Sequence, residues 1–147
     1  MFKKYDCYTN QGTNSSQIKR GVREIMSKKR ILIVEDNDMN LKLYQYTLKS
    51  IDADMLIARD GNDALKIILS EPLDLVILDI QIPGISGLDV IKQVREKVNL
   101  KNLKVIAVTA YSMRGDREKI LEAGCNEYVS KPINTREFPQ LIREYLK

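Results

Sequence analysis

The chain contains no histidine, and its two cysteines, Cys7 and Cys125, lie far apart. Without histidine the usual zinc sites and histidine-based acid–base or nucleophilic catalysis are excluded. Two distant cysteines match no metal-ligand spacing, and both are expected to be free, reduced thiols. No apolar run approaches the length of a bilayer span, and the N-terminus lacks the apolar segment of a signal peptide, so a cytoplasmic address is the expectation. No Gly-x-Gly-x-x-Gly follows the first apolar run, which argues against a dinucleotide fold. No internal repeat is present.

What the chain has is a basic front and a nearly neutral remainder. Of 24 basic and 20 acidic residues, seven and two fall within residues 1–29, leaving 17 against 18 in the rest. The net charge of +4 therefore belongs to the extension and is no argument for nucleic-acid binding by residues 30–147. Residues 1–29 read as a basic extension. A flexible tail, a short docking helix carrying Ile18, Val22, Ile25 and Met26, and a true start at Met26 all fit its composition. The remaining 118 or so residues suffice for one domain with a full core.

From Arg30 onward short apolar runs alternate with helical spacing. Ile31–Val34, Met55–Ala58, Leu75–Leu78, Val105–Val108 and Tyr128-Val129 read as strands, and the unbroken third run predicts a strand covered on both faces. Between them, Leu41, Tyr44, Leu48 and Ile51 recur at helical spacing, as do Ala64, Leu65 and Ile68. Leu88, Ile91, Val94 and Val98 mark a third helix, and residues Arg117–Ala123 a fourth, stopped by Gly124. A fifth carries Phe138, Leu141, Ile142 and Tyr145. Asn37 or Asp38, and Thr135, are the expected caps of the first and last helices. Strict alternation predicts an α/β fold, a doubly wound five-stranded parallel sheet with five helices.

In such sheets ligands bind beyond the carboxyl ends of the strands, at the switch point of the strand order. The first strand runs into Glu35-Asp36, the third into Asp79, the fourth into Thr109 and the fifth into Lys131. In the common order 2-1-3-4-5 the first and third strands are neighbours, so their carboxylates converge. Two such charges about 4 Å apart repel by roughly 4 kcal/mol at an effective dielectric of about 20. An acid cluster of this kind calls for a cation, and hard oxygen ligands suit Mg²⁺. Lys131 offsets only part of the charge. A carboxylate nucleophile, a metal, a hydroxyl and an ammonium together make a phosphoryl-transfer site.

The five motifs at these strand ends resemble the receiver domain of two-component response regulators. They are Ile33-Val34-Glu35-Asp36-Asn37, Ala58-Arg59-Asp60-Gly61 with Ala64-Leu65, Leu78-Asp79-Ile80-Gln81-Ile82-Pro83-Gly84 with Gly87, Val108-Thr109-Ala110, and Ala123-Gly124 followed by Tyr128-Val129-Ser130-Lys131-Pro132. The resemblance covers residues 30–147 in order and is closest to stand-alone, single-domain receivers; no output domain is expected after the last helix. It implies a flavodoxin-like receiver fold with strand order 2-1-3-4-5. It implies Asp79 as phosphoacceptor, Mg²⁺ held by Asp36, Asp79 and the Gln81 carbonyl with Glu35 acting through water, and Lys131 paired with the phosphoryl group beside a cis Pro132. Thr109 and Tyr128 are then the switch pair, while Gln81 and Tyr111 tune dephosphorylation.

The implied donor is a sensor histidine kinase or a histidine phosphotransfer protein. The implied output is a protein target met through the fourth helix, fifth strand and fifth helix, without direct DNA binding. Such a protein is a phosphoacceptor that promotes its own phosphorylation and dephosphorylation rather than a classical enzyme. The alternative is a receiver-like binding module that works without phosphorylation. An aspartate-nucleophile phosphatase is disfavoured because Gln81 stands where its second acid is usual. A flavin site is disfavoured because Glu35-Asp36-Asn37-Asp38 would repel a phosphate.

Overall fold

The computed structural model describes residues 28–110 and 113–147. The readings made for residues 1–27, Met26 and Cys7 among them, and for Tyr111 lie outside the described residues. In chain order the elements are β1 (Lys29–Val34), α1 (Asp38–Thr47), β2 (Ala53–Ala58), α2 (Gly61–Ser70), β3 (Leu75–Asp79) and α3 (Gly87–Glu96). A 3₁₀ turn (Val98–Leu100), β4 (Lys104–Thr109), α4 (Asp116–Glu122), β5 (Glu127–Ser130) and α5 (Glu137–Tyr145) complete them. The five strands form one parallel sheet in the order β2-β1-β3-β4-β5.

Side chains alternate across each strand, and here the alternation divides the core in two. Leu32, Val34, Val76, Leu78, Val105 and Ala107 pack with Ala64, Leu65 and Ile68 of α2, with Val90, Ile91 and Val94 of α3, and with Ile120 of α4. Ile31, Ile33, Leu75, Ile77, Ile106 and Val108 pack with Leu41, Tyr44 and Leu48 on the α1 side and with Phe138 and Ile142 of α5. Helices thus cover both faces. The central strand β3 is buried at every position, which is why its sequence is an unbroken apolar run up to Asp79.

The caps are local and legible, with one exception. Asn37 accepts from the Asn40 amide at 3.0 Å and Asp60 from the Asp63 amide at 2.8 Å. At the start of α3 the Ser86 hydroxyl oxygen accepts from the Asp89 amide at 3.2 Å while its hydroxyl donates to the Asp89 carboxylate at 2.8 Å, an N-cap reinforced by its own side-chain bond. Thr135, the expected cap of the last helix, does not fill that role. The Asn134 carboxamide oxygen accepts from the amides of Arg136 and Glu137 at 3.0 and 3.2 Å. An amide side chain one position upstream reaches both amides.

A second correction concerns Val98, which is 79% exposed and lies in the 3₁₀ turn rather than on α3. Arg95 is the reason. Its guanidinium donates to the carbonyls of Leu100 at 3.1 Å and Lys101 at 3.2 Å. That folds the following segment back over the helix end and turns Val98 outward.

Gly87 begins α3 directly against the end of β3. A Cβ there would lie 2.7 Å from Ile80 Cα and 2.8 Å from the Asp79 carbonyl oxygen. Only glycine lets the helix start this close to the strand end that carries the acid. Gly124, with φ +118°, ends the α4 region in the left-handed conformation, as its place in the sequence predicts.

Candidate acidic site at the strand ends

The register places the acids before any side-chain detail is considered. Val34 of β1 stands opposite Leu78 of β3, so the next residues, Glu35 and Asp79, emerge side by side. Neighbouring strands run about 4.8 Å apart. Asp79 pairs in register with Val108, and Thr109 with Ser130, so the ends of β3, β4 and β5 are level. Lys131 then leaves β5 with its amide donating to the Thr109 carbonyl at 2.9 Å. The Lys131–Pro132 bond is cis.

Glu35 and Asp79 are almost fully buried, at 1% and 4% exposure. Each carboxylate is held at both oxygens. Glu35 Oε1 accepts from the Asn37 amide at 3.1 Å, and Asp79 Oδ1 accepts from the Gln81 amide at 2.9 Å. Their other oxygens both accept from Lys131 Nζ, each at 2.8 Å. Asp36, the next residue on the chain, is exposed. Oxygens of Glu35, Asp36 and Asp79 all lie within 4.8 Å of one another. Three carboxylates and one ammonium leave the cluster about two charges negative.

That imbalance governs the neighbouring groups. Burial disfavours the Lys131 ammonium, but its hydrogen bonds to Asp79 and Glu35, and their charges, outweigh this and raise its pKa above the ordinary lysine value. Tyr44 of α1 packs tilted against Phe138, with ring centroids 5.8 Å apart. Its pKa is raised strongly, first by burial and then by the charges of Glu35 and Asp79. Strand alternation accounts for the proximity: Glu35 and Asp79 continue the series of Ile33 and Ile77, which face α1 and α5.

Glu35, Asp36, Asp79 and Lys131 form one cluster, and Thr109 is fully buried at the adjoining strand end. Gln81 reaches the cluster through its backbone amide, its side chain being exposed. Tyr128 is half-buried against the core that contains Ile120. Tyr111 lies outside the described residues. Two residues near the site were not singled out from sequence. Tyr44 reads there only as helix core. Arg59 at the end of β2 contacts the loop that carries Asp36, and the strand order that makes β2 a neighbour of β1 is the signal that could have found it.

The donor set fits a small hard cation. Carboxylate oxygens are the preferred ligands of Mg²⁺, which keeps several waters and needs only one or two carboxylates. An exposed acid beside two anchored ones leaves an open side for that water. Among the described residues no helix is long and apolar enough to cross a membrane.

Residues 31–143 match the response regulator receiver domain family, and the chain belongs to it. It is the receiver domain of a response regulator of two-component signalling. Among curated proteins it is similar to the polar-differentiation response regulator DivK of Brucella ovis, 40% identical over 118 residues that make up 80% of this chain and 96% of the relative. Among solved structures it is similar to a CheY-like receiver domain protein from Methanospirillum hungatei (30% identity, TM-score 0.73, 82% of this chain and 94% of that one). It is also similar to the receiver domain of a sensor histidine kinase from Pseudomonas aeruginosa, described with a magnesium ion coordinated in its active-site cleft (28% identity, TM-score 0.74, 82% and 98%). Receiver domains of this family bind Mg²⁺ at an acidic pocket, interact with histidine kinases and downstream targets, and are generally not classical enzymes.

Proposed function

We propose that this chain is a phosphorylation-driven switch that accepts a phosphoryl group on Asp79, with Mg²⁺, from a histidine kinase or a histidine phosphotransfer protein. The observation that carries the reading is the buried pair of Glu35 and Asp79 sharing one ammonium, Lys131, at 2.8 Å each, beside an exposed third acid. A stability role alone is a poor account of such a cluster, because buried like charges are costly and a single lysine leaves two uncompensated.

In this reading an oxygen of Asp79 forms a new O–P bond while the bond from phosphorus to the donor's nitrogen breaks, its electron pair leaving on the imidazole. Asp36, Asp79 and the Gln81 carbonyl would hold Mg²⁺, with Glu35 acting through water. Bound Mg²⁺ supplies positive charge that stabilises the transferring oxygens. Lys131 supplies the second positive charge, its ammonium already fixed at Asp79, and Thr109 supplies a hydroxyl. Gln81 and Tyr111 are the residues this reading assigns to tuning the lifetime of the acyl phosphate.

The signal is a shift between two conformations. A phosphoryl group favours the one in which Thr109 and Lys131 engage it, and it shifts the balance only by the difference between its interactions in the two. Thr109 moving toward the group and Tyr128 moving behind it would reshape the surface of α4, β5 and α5, where a downstream protein binds. The reading places the protein in the cytoplasm, with residues 1–29 as an extension to a receiver spanning 30–147, and without direct DNA binding.

Intact mass after incubation with Mg²⁺ and a small acyl-phosphate donor tests it. Wild type should gain one phosphoryl group only when Mg²⁺ is present, and Asp79→Asn should gain none. No gain by folded wild type, with a phosphorylated histidine kinase also supplied, would replace the reading with a binding module that works without phosphorylation.

A further inference from the structure

The three carboxylates are not held alike. Glu35 and Asp79 each have both oxygens engaged, by a backbone amide and by Lys131. The Asp36 carboxylate makes no hydrogen bond or ion pair among the described residues, and Asp36 is exposed, so neither bonding nor packing of the side chain aims it. Its direction depends on where its backbone is held.

That backbone lies in the loop from β1 to α1. On the upstream side the Glu35 amide donates to the Ala58 carbonyl at 3.0 Å, the bond that carries the β1–β2 pairing past the end of β1. The residue that follows Ala58, just past the end of the neighbouring strand β2, is Arg59. Its Nη1 donates to the Asp36 carbonyl at 3.4 Å and lies 2.7 Å from Asp38 Oδ1. The guanidinium therefore spans the loop from Asp36 to Asp38, while Asn37 between them caps α1.

We propose that Arg59 is a positioning residue for the cation site, clamping the Asp36–Asp38 loop so that the Asp36 carboxylate faces Glu35 and Asp79. This rests on the Mg²⁺ reading above and adds a residue outside the acid set. The ion pair is not there for stability: the Arg59 and Asp38 side chains are 56% and 73% exposed, and exposed pairs contribute little. Its contribution is geometric, in the way that residues behind metal ligands fix ligand orientation.

Charge and geometry make opposite predictions, which gives a decisive test. Arg59 is a cation beside a cation site. If only its charge mattered, removing it would tighten Mg²⁺ binding. If it positions Asp36, removing it weakens binding despite the lost repulsion. Isothermal titration of the metal-free protein with Mg²⁺ is the measurement, for wild type, Arg59→Ala and Arg59→Lys.

We expect Arg59→Ala to raise the Mg²⁺ Kd by about threefold to tenfold, below the roughly 10–100-fold typical of groups bonded directly to a metal ligand, because Arg59 holds the Asp36 backbone and not its carboxylate. Arg59→Lys, which keeps the charge but not the planar fork, should raise it less, by roughly twofold. The thermal midpoint without Mg²⁺ should hardly change in either. An unchanged or lower Kd in Arg59→Ala, with wild type binding normally, overturns the positioning role and leaves the Mg²⁺ reading intact. Wild type that binds no Mg²⁺ overturns both. Should Arg59→Ala fail to fold, Arg59→Lys decides: a raised Kd supports the clamp and an unchanged one overturns it.

Discussion

The two ends of the sheet each have a cation that ties several segments together, and the two cations do different work. At the carboxyl end Lys131 bridges the carboxylates of Glu35 and Asp79, joining β5 to β1 and β3. At the other end Arg95 donates to the carbonyls of Gly124, Leu100 and Lys101 and to the side chain of Asn126. The Asn126 side-chain oxygen also accepts from the Val105 amide at 2.8 Å, so α3, β4 and the turn before β5 meet there. The Arg95 partners are neutral and permanent. The Lys131 partners carry charge, which a second cation, or the covalent change proposed at Asp79, would alter. One end is a staple, and the other is a balance.

Removing each cation should separate these roles. Lys131→Ala leaves two buried carboxylates facing each other. Without Mg²⁺ it should destabilise the protein by about 3 kcal/mol, toward the low side of breaking a buried pair because Lys131 is 20% exposed. Added Mg²⁺ should restore much of that loss, because a cation at the same acids replaces the missing charge. A thermal melt of Lys131→Ala that is equally low with and without Mg²⁺ would break the comparison.

Arg95→Ala should cost about 2 kcal/mol, since four acceptors lose a charged donor and some regain water. Here Mg²⁺ should restore nothing beyond what it adds to wild type, and the Mg²⁺ Kd should stay within about twofold of wild type, as for distant, uncoupled sites. A melt and a titration on the same sample read both. A large fall in Mg²⁺ affinity would show that the two ends communicate.

The smallest effect appears only in alkali. Burial pushes the Cys125 thiol, beside the Arg95 staple, up to about 12, against a partial offset from the Arg95 charge. A group whose pKa is higher folded than unfolded contributes fully below its unfolded value, near 9, and loses that contribution as pH rises toward 12. Wild type should therefore lose about 1 kcal/mol relative to Cys125→Ala between pH 8 and 10. Parallel stability curves for the two proteins over that range would remove the thiol from the account.

Much of this was readable from residue order. Strand alternation and helical spacing located all five strands and five helices, because burial imposes periods of two and 3.6 on the apolar residues. The errors came where a specific side-chain hydrogen bond overrode the periodic pattern or the cap preference. Val98 fits the helical spacing, yet Arg95 captures the carbonyls just beyond and folds the chain away. Thr135 is a good cap by type, but Asn134 reaches the amides of Arg136 and Glu137 first. Tyr44 fits the helix as plain core, and only packing brings it under the charges of Glu35 and Asp79. Arg59 carried no local signal, since its partners lie on a loop more than twenty positions earlier in the chain.

The residue types at the strand ends were set by sequence alone: an acid pair after β1, an acid closing β3, a hydroxyl closing β4 and a lysine after β5. These identities determine which chemistry is available, because a carboxylate or an ammonium keeps its character wherever the chain places it. How the acids are divided was decided only by the tertiary structure. Register and strand parity turn Glu35 and Asp79 inward to share Lys131 and leave Asp36 outside, on a loop held by Arg59. Such division depends on pairing between strands distant in sequence, and so it exists only once the sheet has formed.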